Sequence, residues 1–326
     1  MSADLRVTVA GLELKNPVIA GSGEATASGD DIRACLDAGA AAVIAKSVNE
    51  SATARAQLRA AEYAVLDEHF NARPLGPASR TESLFCRSGL LDVDLDDWIA
   101  ELAELDGEAG DAYVVPSLIV ADIDDAVRLA RAIEDAGIRW LELNVGAPHA
   151  EEATPGAIRT GVALVERVRA AVSIPLTVKL RAGDSVEAAL AAGADAVCMT
   201  TRAMAFVPDL ETRRPVLGTF AAIGGAWTLP LTLRHVAKAH IAHPEASIVG
   251  TNGARDGYDV ARFLLAGASA VAMTSAVVTD GPAVLQKAIR QLDQYCSEQG
   301  VAARDLVGEA ARHVQTYEEV AIERRL

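Results

Sequence analysis

The stretch SIVGTNGARDGYDVARFLLAGASAVAMTSA, residues 247–276, reads as strand, glycine turn, helix, then strand and turn again. Ile248 and Val249 make a short apolar strand that runs into Gly250, Thr251, Asn252 and Gly253. A helix over 258–265 turns Val260, Ala261, Phe263, Leu264 and Leu265 mainly to one side, and Ala266 with Gly267 stops it. A second buried strand over 268–273 ends in Thr274 and Ser275. Two adjacent strand ends rich in glycine, threonine and serine offer backbone N–H groups with little side-chain bulk in the way. The last two units of a (β/α)8 barrel hold a phosphate in this manner. Ordinary tight βα turns share the pattern, so the rest of the chain has to decide.

It does so by repetition. Helix, small or acidic residue, Ala-Gly, then a buried strand recurs at LDAGAAAVIAKS (36–47), EDAGIRWLELNVG (134–146), LAAGADAVCMTT (190–201) and LLAGASAVAMTS (264–275). Near-continuous apolar strands, rather than alternating ones, are those of a parallel sheet covered on both faces. With the helix-and-strand stretches between them the count approaches eight. The expected fold is therefore α/β: a (β/α)8 TIM barrel in one domain spanning 1–326, with an N-terminal β-hairpin over 5–15 and long βα insertions. Barrel strands are expected at 16–23, 42–46, 113–118, 140–144, 176–180, 195–200, 248–249 and 268–273, with helices at 30–38, 94–105, 123–136, 160–171, 185–192, 230–240, 281–298 and 302–316. Residues 50–67 read as strongly helical, 68–92 as irregular chain with 86–92 a loop, and 202–229 as a second excursion. An insertion of this length after a barrel strand is most often a lid or wall of the active site.

Composition narrows the class. The 326 residues are 51% hydrophobic but only 4% aromatic, which suits closely packed helices over a sheet. A formal net charge of −15 argues against polyanionic partners such as nucleic acids. No run of about 20 apolar residues suggests a membrane span, and no basic segment precedes an apolar leader, so a cytoplasmic protein is expected. The four cysteines, Cys35, Cys86, Cys198 and Cys296, show no C-x2-C spacing, which speaks against a cluster or structural zinc and for free thiols.

Barrel chemistry sits where the C-terminal strand ends meet, and few polar residues fall there. Lys46 ends the second strand, Asn144 the fourth, and Lys179 lies within the fifth. A lysine among strand apolars must snorkel or find a partner; a carboxylate at the barrel mouth would suffice for either. Two such lysines beside an asparagine and a phosphate-type turn also fit an anionic or electron-rich cofactor. Glu24 either faces the site or is a solvated loop carboxylate. Arg87, Arg181 and Arg202 each follow a strand or loop end, and one or two of them could pair with a substrate carboxylate.

Taken together, NPVIAGSG (16–23), AVIAKSVN (42–49), ELNVGAPH (142–149), PLTVKL (175–180), LPLTLRHVA (229–237) and the 250–271 stretch resemble, in order, the soluble class of the dihydroorotate dehydrogenase family. They also resemble the flavin-containing, pyrimidine-reducing domain of dihydropyrimidine dehydrogenases. The resemblance implies an FMN-binding barrel of pyrimidine metabolism. It places Lys46 beside the flavin with Ser47 after it, the backbone of Ala20, Gly21 and Ser22 along the isoalloxazine, and Asn144 between flavin and substrate. Lys179 would bond the flavin N1–C2 side, where a fixed cation stabilises the charge gathered on reduction. Gly225, Gly253, Thr274 and Ser275 would bind the phosphate, and Thr201 stands at the asparagine position after the sixth strand.

The departures are equally specific. Where the family carries a cysteine as acid/base, this chain has Ala147, which transfers no proton, and Gly146 before it lacks a hydroxyl. Cys86 and Asp92 stand where the family's ring-reading asparagines are expected. Cys86 and His149 are the candidates to take over proton transfer, with Lys46 and Asn144 completing the catalytic set; a thiol and an imidazole are both chemically able. His149 could instead hydrogen-bond a ring or backbone, and Cys86 could be a buried loop thiol. The expected function is an FMN-dependent oxidoreductase passing a hydride between flavin N5 and a small ring-shaped or conjugated carbon substrate. Dihydroorotate or dihydropyrimidine dehydrogenation with a relocated acid/base, and a non-catalytic flavin-binding subunit, are the alternatives. Electrons would pass to a soluble acceptor or a separate reductase protein, and the soluble family members imply a homodimer.

Overall fold

The computed structural model describes residues 2–51, 54–55, 59, 61–120, 122–145, 161–317 and 319–320. Eight parallel strand positions close into a barrel. In chain order these are β3 (Val18–Ala20), β4 (Ala42–Ile44), the interrupted pair β8 (Tyr113–Val115) and β9 (Ser117–Leu118), β10 (Leu141–Asn144), β11 (Leu176–Leu180), β12 (Ala196–Met199), β15 (Ser247–Thr251) and β16 (Ala270–Met273). Pro116 breaks the third position in two. Its first half pairs with β4 and its second with β10, so the break lies where the ring closes. Strand interiors are buried residue after residue, as a sheet covered on both faces requires.

The four repeated Ala-Gly steps have a common backbone cause. Gly39, Gly137, Gly193 and Gly267 all lie in the left-handed region, at φ +92°, +86°, +101° and +108°. Each ends a helix and turns the chain into the next buried strand, a conformation that a Cβ disfavours. The expected hairpin is present as β1 (Val7–Val9) and β2 (Leu12–Leu14), antiparallel, with Val9 and Leu14 fully buried. Its turn residue Ala10 donates its N–H to Ser247 Oγ at the start of β15, so the hairpin closes the end of the barrel opposite the C-terminal strand ends.

Three expectations are corrected. Within the helix expected over 50–67, Ala54 and Arg55 are helical but Glu62–Leu66 forms strand β5. Asp67 builds a hairpin turn there, its Oδ1 accepting from the N–H groups of His69 and Asn71, and returns the chain as β6 (Ala72–Pro74). The irregular segment 68–92 contains β7 (Ser83–Arg87), so Cys86 ends a strand instead of opening a loop. With β13 (Ala203–Ala205) and β14 (Ala221–Gly225) from the second excursion, these strands form one five-stranded antiparallel sheet around Leu66, Phe85, Ala221 and Ile223. Local helix propensity at Glu62–Leu66 loses to this long-range pairing. The helix over 302–316 is replaced by two short 3₁₀ turns, Ala303–Leu306 and Ala311–His313. There the N–H groups of Gly308 and Ala310 donate to Leu264 and Leu265 carbonyls of the neighbouring helix, so the backbone is satisfied without a helix of its own.

Among the described residues no helix is long and apolar enough to cross a membrane. One buried ion pair ties three elements together. Asp106, on the helix Leu95–Glu108, accepts from the Val114 N–H of β8 at 2.8 Å and from the Arg139 guanidinium at 2.8 and 2.9 Å just before β10. Removing it leaves a guanidinium and a strand N–H unmatched. Asp106→Ala should lower the unfolding free energy by about 3 kcal/mol, read from the urea midpoint; a loss below about 1 kcal/mol would show that water replaces the carboxylate.

Candidate active site

A cavity opens at the C-terminal ends of the barrel strands, with about 1080 Å³ of empty space when its solvent-filled mouth is included. Every barrel position contributes to its wall: Ser22 after β3, Lys46 and Ser47 after β4, Ile119 after β9, Asn144 on β10, Lys179 on β11, Thr200 to Arg202 after β12, Thr251 to Gly253 on and after β15, and Ala272, Thr274 and Ser275 on and after β16. The inserted sheet adds Ser88 to Leu90, Ala222 and Gly225. The two insertions therefore form one side of the cavity.

Both lysines have carboxylate partners as well as a face on the cavity. Lys46 Nζ donates to Glu24 Oε1 at 2.6 Å. Burial pushes the Lys46 amine below its usual range, Glu24 opposes that shift, and the nearby Arg202 charge adds to it. Glu24, on the one-turn helix Glu24–Thr26, thus serves as a counter-ion and is no solvated loop carboxylate. Lys179 Nζ lies 3.8 Å from Glu142 Oε1, a carboxylate with no solvent exposure inside the barrel. Glu142 also accepts from Ser117 Oγ at 2.8 Å, Ser117 contacts Ser47 at 2.8 Å, and Ser47 contacts Ser22 at 3.2 Å. A chain of hydroxyls so joins the barrel interior to the cavity.

The opposite end is built from backbone. Gly253 (φ +119°) packs where a Cβ would stand 2.7 Å from Leu229 N, so only glycine lets this turn approach the next helix. Five helices carry side-chain caps, from Ser28, Asp94, Asp122, Ser185 and Asp256. Among the described residues, the helix Leu229–Ala242, entered through Gly225 and the turn Ala226–Thr228, has none, nor have Ser275–Asp280 behind Thr274 and Ala283–Gln299, which starts away from the cavity. Gly225, ahead of the first of these, and Thr274 with Ser275, at the start of the second, border the cavity and offer backbone N–H groups to an anion.

Of the residues expected from sequence, Ser22, Lys46, Ser47, Asn144, Lys179, Thr201, Gly225, Gly253, Thr274 and Ser275 are brought together on this wall. Ala20 and Gly21 are not: Ala20 is buried in β3 opposite Met273, and the Gly21 N–H donates to the Met273 carbonyl. Cys86 has no exposure and lies behind the wall, where Arg202 Nη1 approaches its Sγ at 2.5 Å. Burial pushes its thiol up, against the pull of Arg202. His149 and Ala147 fall outside the described residues. Arg87 pairs with Glu62 and Arg181 with Asp184, both off the wall, so of the three candidate arginines only Arg202 reaches the cavity. Sequence reasoning left Ser88, Asn252 and Arg255 out of the site; the Asn-Gly pair in TNGAR, a turn signal that fits the positive φ of Asn252 (+72°), pointed to this turn.

All four cysteines are buried and free. Burial raises the thiols of Cys35 and Cys198 to about 12 and that of Cys296 to about 11, which leaves little thiolate to react. Native protein at about pH 8 should therefore resist dithionitrobenzoate for minutes, while all four thiols react once denatured. Rapid native labelling of one thiol, mapped to Cys86, would show that its wall opens.

Comparison with known proteins agrees with this geometry. The family model described as dihydroorotate dehydrogenase matches residues 71–295. The catalytic subunit of dihydroorotate dehydrogenase B (NAD(+)) from Desulforudis audaxviator is 31% identical over 96% of this chain and 99% of its own length. Its counterpart from Thermoplasma acidophilum is 27% identical over 95% and 100%, and dihydroorotate dehydrogenase A (fumarate) from Lactobacillus helveticus is 29% identical over 93% and 97%. With the family model covering well over half of the chain and such relatives aligned along nearly their whole length, this protein belongs to the dihydroorotate dehydrogenase family of oxidoreductases.

Proposed function

We propose that this protein is an FMN-dependent oxidoreductase transferring a hydride between the flavin and a small ring-shaped or conjugated carbon substrate. One observation carries the reading: Lys46, Lys179 and Asn144 share a cavity wall with the glycine and hydroxyl turns at Gly225, Gly253, Thr274 and Ser275. A phosphate would accept from the backbone N–H groups of these turns. When bound, FMN supplies the hydride chemistry. Lys179, held in the barrel by Glu142, would set a fixed positive charge against the negative charge that reduction creates. Lys46, tied to Glu24, and the Asn144 amide would orient ring and substrate.

Proton transfer has to differ from the family pattern, because position 147 is alanine. The Cys86 thiol reaches the cavity through the Ser88 hydroxyl, 3.9 Å from its sulfur. His149 is the other donor of suitable chemistry. Dihydroorotate itself as the substrate is a second reading, favoured by the near-complete alignment with proteins of that name. Two of those relatives are catalytic subunits, which supports a separate electron-transfer partner.

The purified chain should be yellow, or take up one FMN on reconstitution. A colourless protein that refuses FMN would remove the reading. Lys179→Met should still bind FMN through the phosphate turns but reduce at a more negative potential; an unchanged potential would take Lys179 away from the ring. Cys86→Ala should keep its flavin and lose about a hundredfold of substrate-dependent flavin reduction. Undiminished turnover would move the proton to His149 or solvent, and bleaching by dihydroorotate would select the second reading.

A further inference from the structure

The cavity wall carries four cations among the described residues, Lys46, Lys179, Arg202 and Arg255, and no carboxylate. Three of the four are neutralised from behind: Lys46 by Glu24 at 2.6 Å, Lys179 by Glu142 at 3.8 Å, and Arg255 by Asp280 at 2.6 Å. Arg202 has no such partner among the described residues, in a chain whose net charge is −15. Its contacts are neutral in kind: Nη1 to Cys86 Sγ at 2.5 Å and Nη2 to Ser88 Oγ at 3.0 Å. Those two contacts fix the plane of the guanidinium and use two of its five N–H groups, leaving three for a ligand.

We propose that Arg202 is the specificity-determining residue of this cavity, and that it binds a carboxylate on a planar, conjugated substrate. This rests on the reading of the cavity as a flavin and substrate site. A guanidinium held by one edge offers a fork matched to two carboxylate oxygens. Once buried beneath a substrate, its charge needs an anion, because an unpaired cation in a desolvated site is strongly unfavourable. Gly224 leaves room for this placement: a Cβ there would stand 3.2 Å from Arg202 Cδ. Side-chain amides, the groups suited to reading a neutral ring, are limited on the described wall to Asn144 and Asn252, and Asn252 already accepts from Thr228. The site selects charge over ring amides.

The flavin phosphate is the other anion that Arg202 could meet, so the test separates the two. FMN and riboflavin are titrated onto apo-protein, and benzoate and benzamide onto the FMN-loaded protein with the flavin spectrum as readout, for wild type, Arg202→Met and Arg202→Lys. Wild type should bind benzoate at least about tenfold more tightly than benzamide. Arg202→Met should lose that preference with benzamide affinity unchanged, Arg202→Lys should retain only part of it, and FMN affinity should stay within about threefold. Equal binding of benzoate and benzamide by wild type overturns the proposal, as does a preference that survives in Arg202→Met. A fall in FMN but not riboflavin affinity assigns Arg202 to the phosphate and also overturns it. Should wild type take up no flavin, the function proposed above fails, and calorimetric titration of benzoate onto the same protein and variants still decides the role of Arg202. Arg202→Lys retains the charge and serves as the folded control if Arg202→Met does not fold.

Discussion

An ammonium group can stand at the mouth of an apolar barrel only if a carboxylate behind it makes the charge tolerable, and the architecture follows from that requirement. Glu142 is fully buried among the barrel strands and is kept there by Lys179 and the Ser117 hydroxyl. The break at Pro116 places Ser117 beside it, and the same break is where the ring of strands closes. Closure and electrostatics are thus settled at one place. Glu24 repeats the arrangement on the far side for Lys46. Such pairs are hard to justify as stabilising devices, since the desolvation penalty offsets much of their attraction. Their value lies in holding charge, pre-oriented, where a reaction can use it.

Much of this was legible in the sequence, and the reasons are specific. The four Ala-Gly steps announced the barrel because a left-handed glycine between a helix and a continuous apolar run is the ordinary geometry of a helix-to-strand turn. Lys46, Asn144 and Lys179 stood out because a polar group at a buried strand end is expensive without a purpose. What stayed hidden depended on contacts between distant segments. Glu62–Leu66 looks helical beside its alanine-rich neighbours and becomes a strand only because β7 lies next to it. Cys86 read as a loop thiol facing the site; its position behind Arg202 is set by residues more than a hundred positions away. The residues at 302–316 have helical composition, yet their hydrogen bonds are claimed by Leu264 and Leu265.

On the function proposed above, substrate and cofactor would meet different materials in this molecule. The end with uncapped helix starts is backbone and glycine, and such donors recognise an anion with little regard to what it is attached to. The end near Ser88 and Arg202 is side chain, displayed on an inserted sheet that the barrel does not need in order to close. A family can retain the first while revising the second, which is the pattern of matches and departures that the sequence displays.

The pairing of Ala222 with Cys86 across β14 and β7 has a further consequence. Side chains on a strand alternate between faces, so strands slide past one another only in whole-residue steps, each of which inverts what points inward. An insertion or deletion within β7 or β14 themselves would therefore exchange Cys86 for one of its neighbours outright, with no intermediate position available. A change of length in these strands thus swaps one side chain for another at this edge of the cavity in a single step.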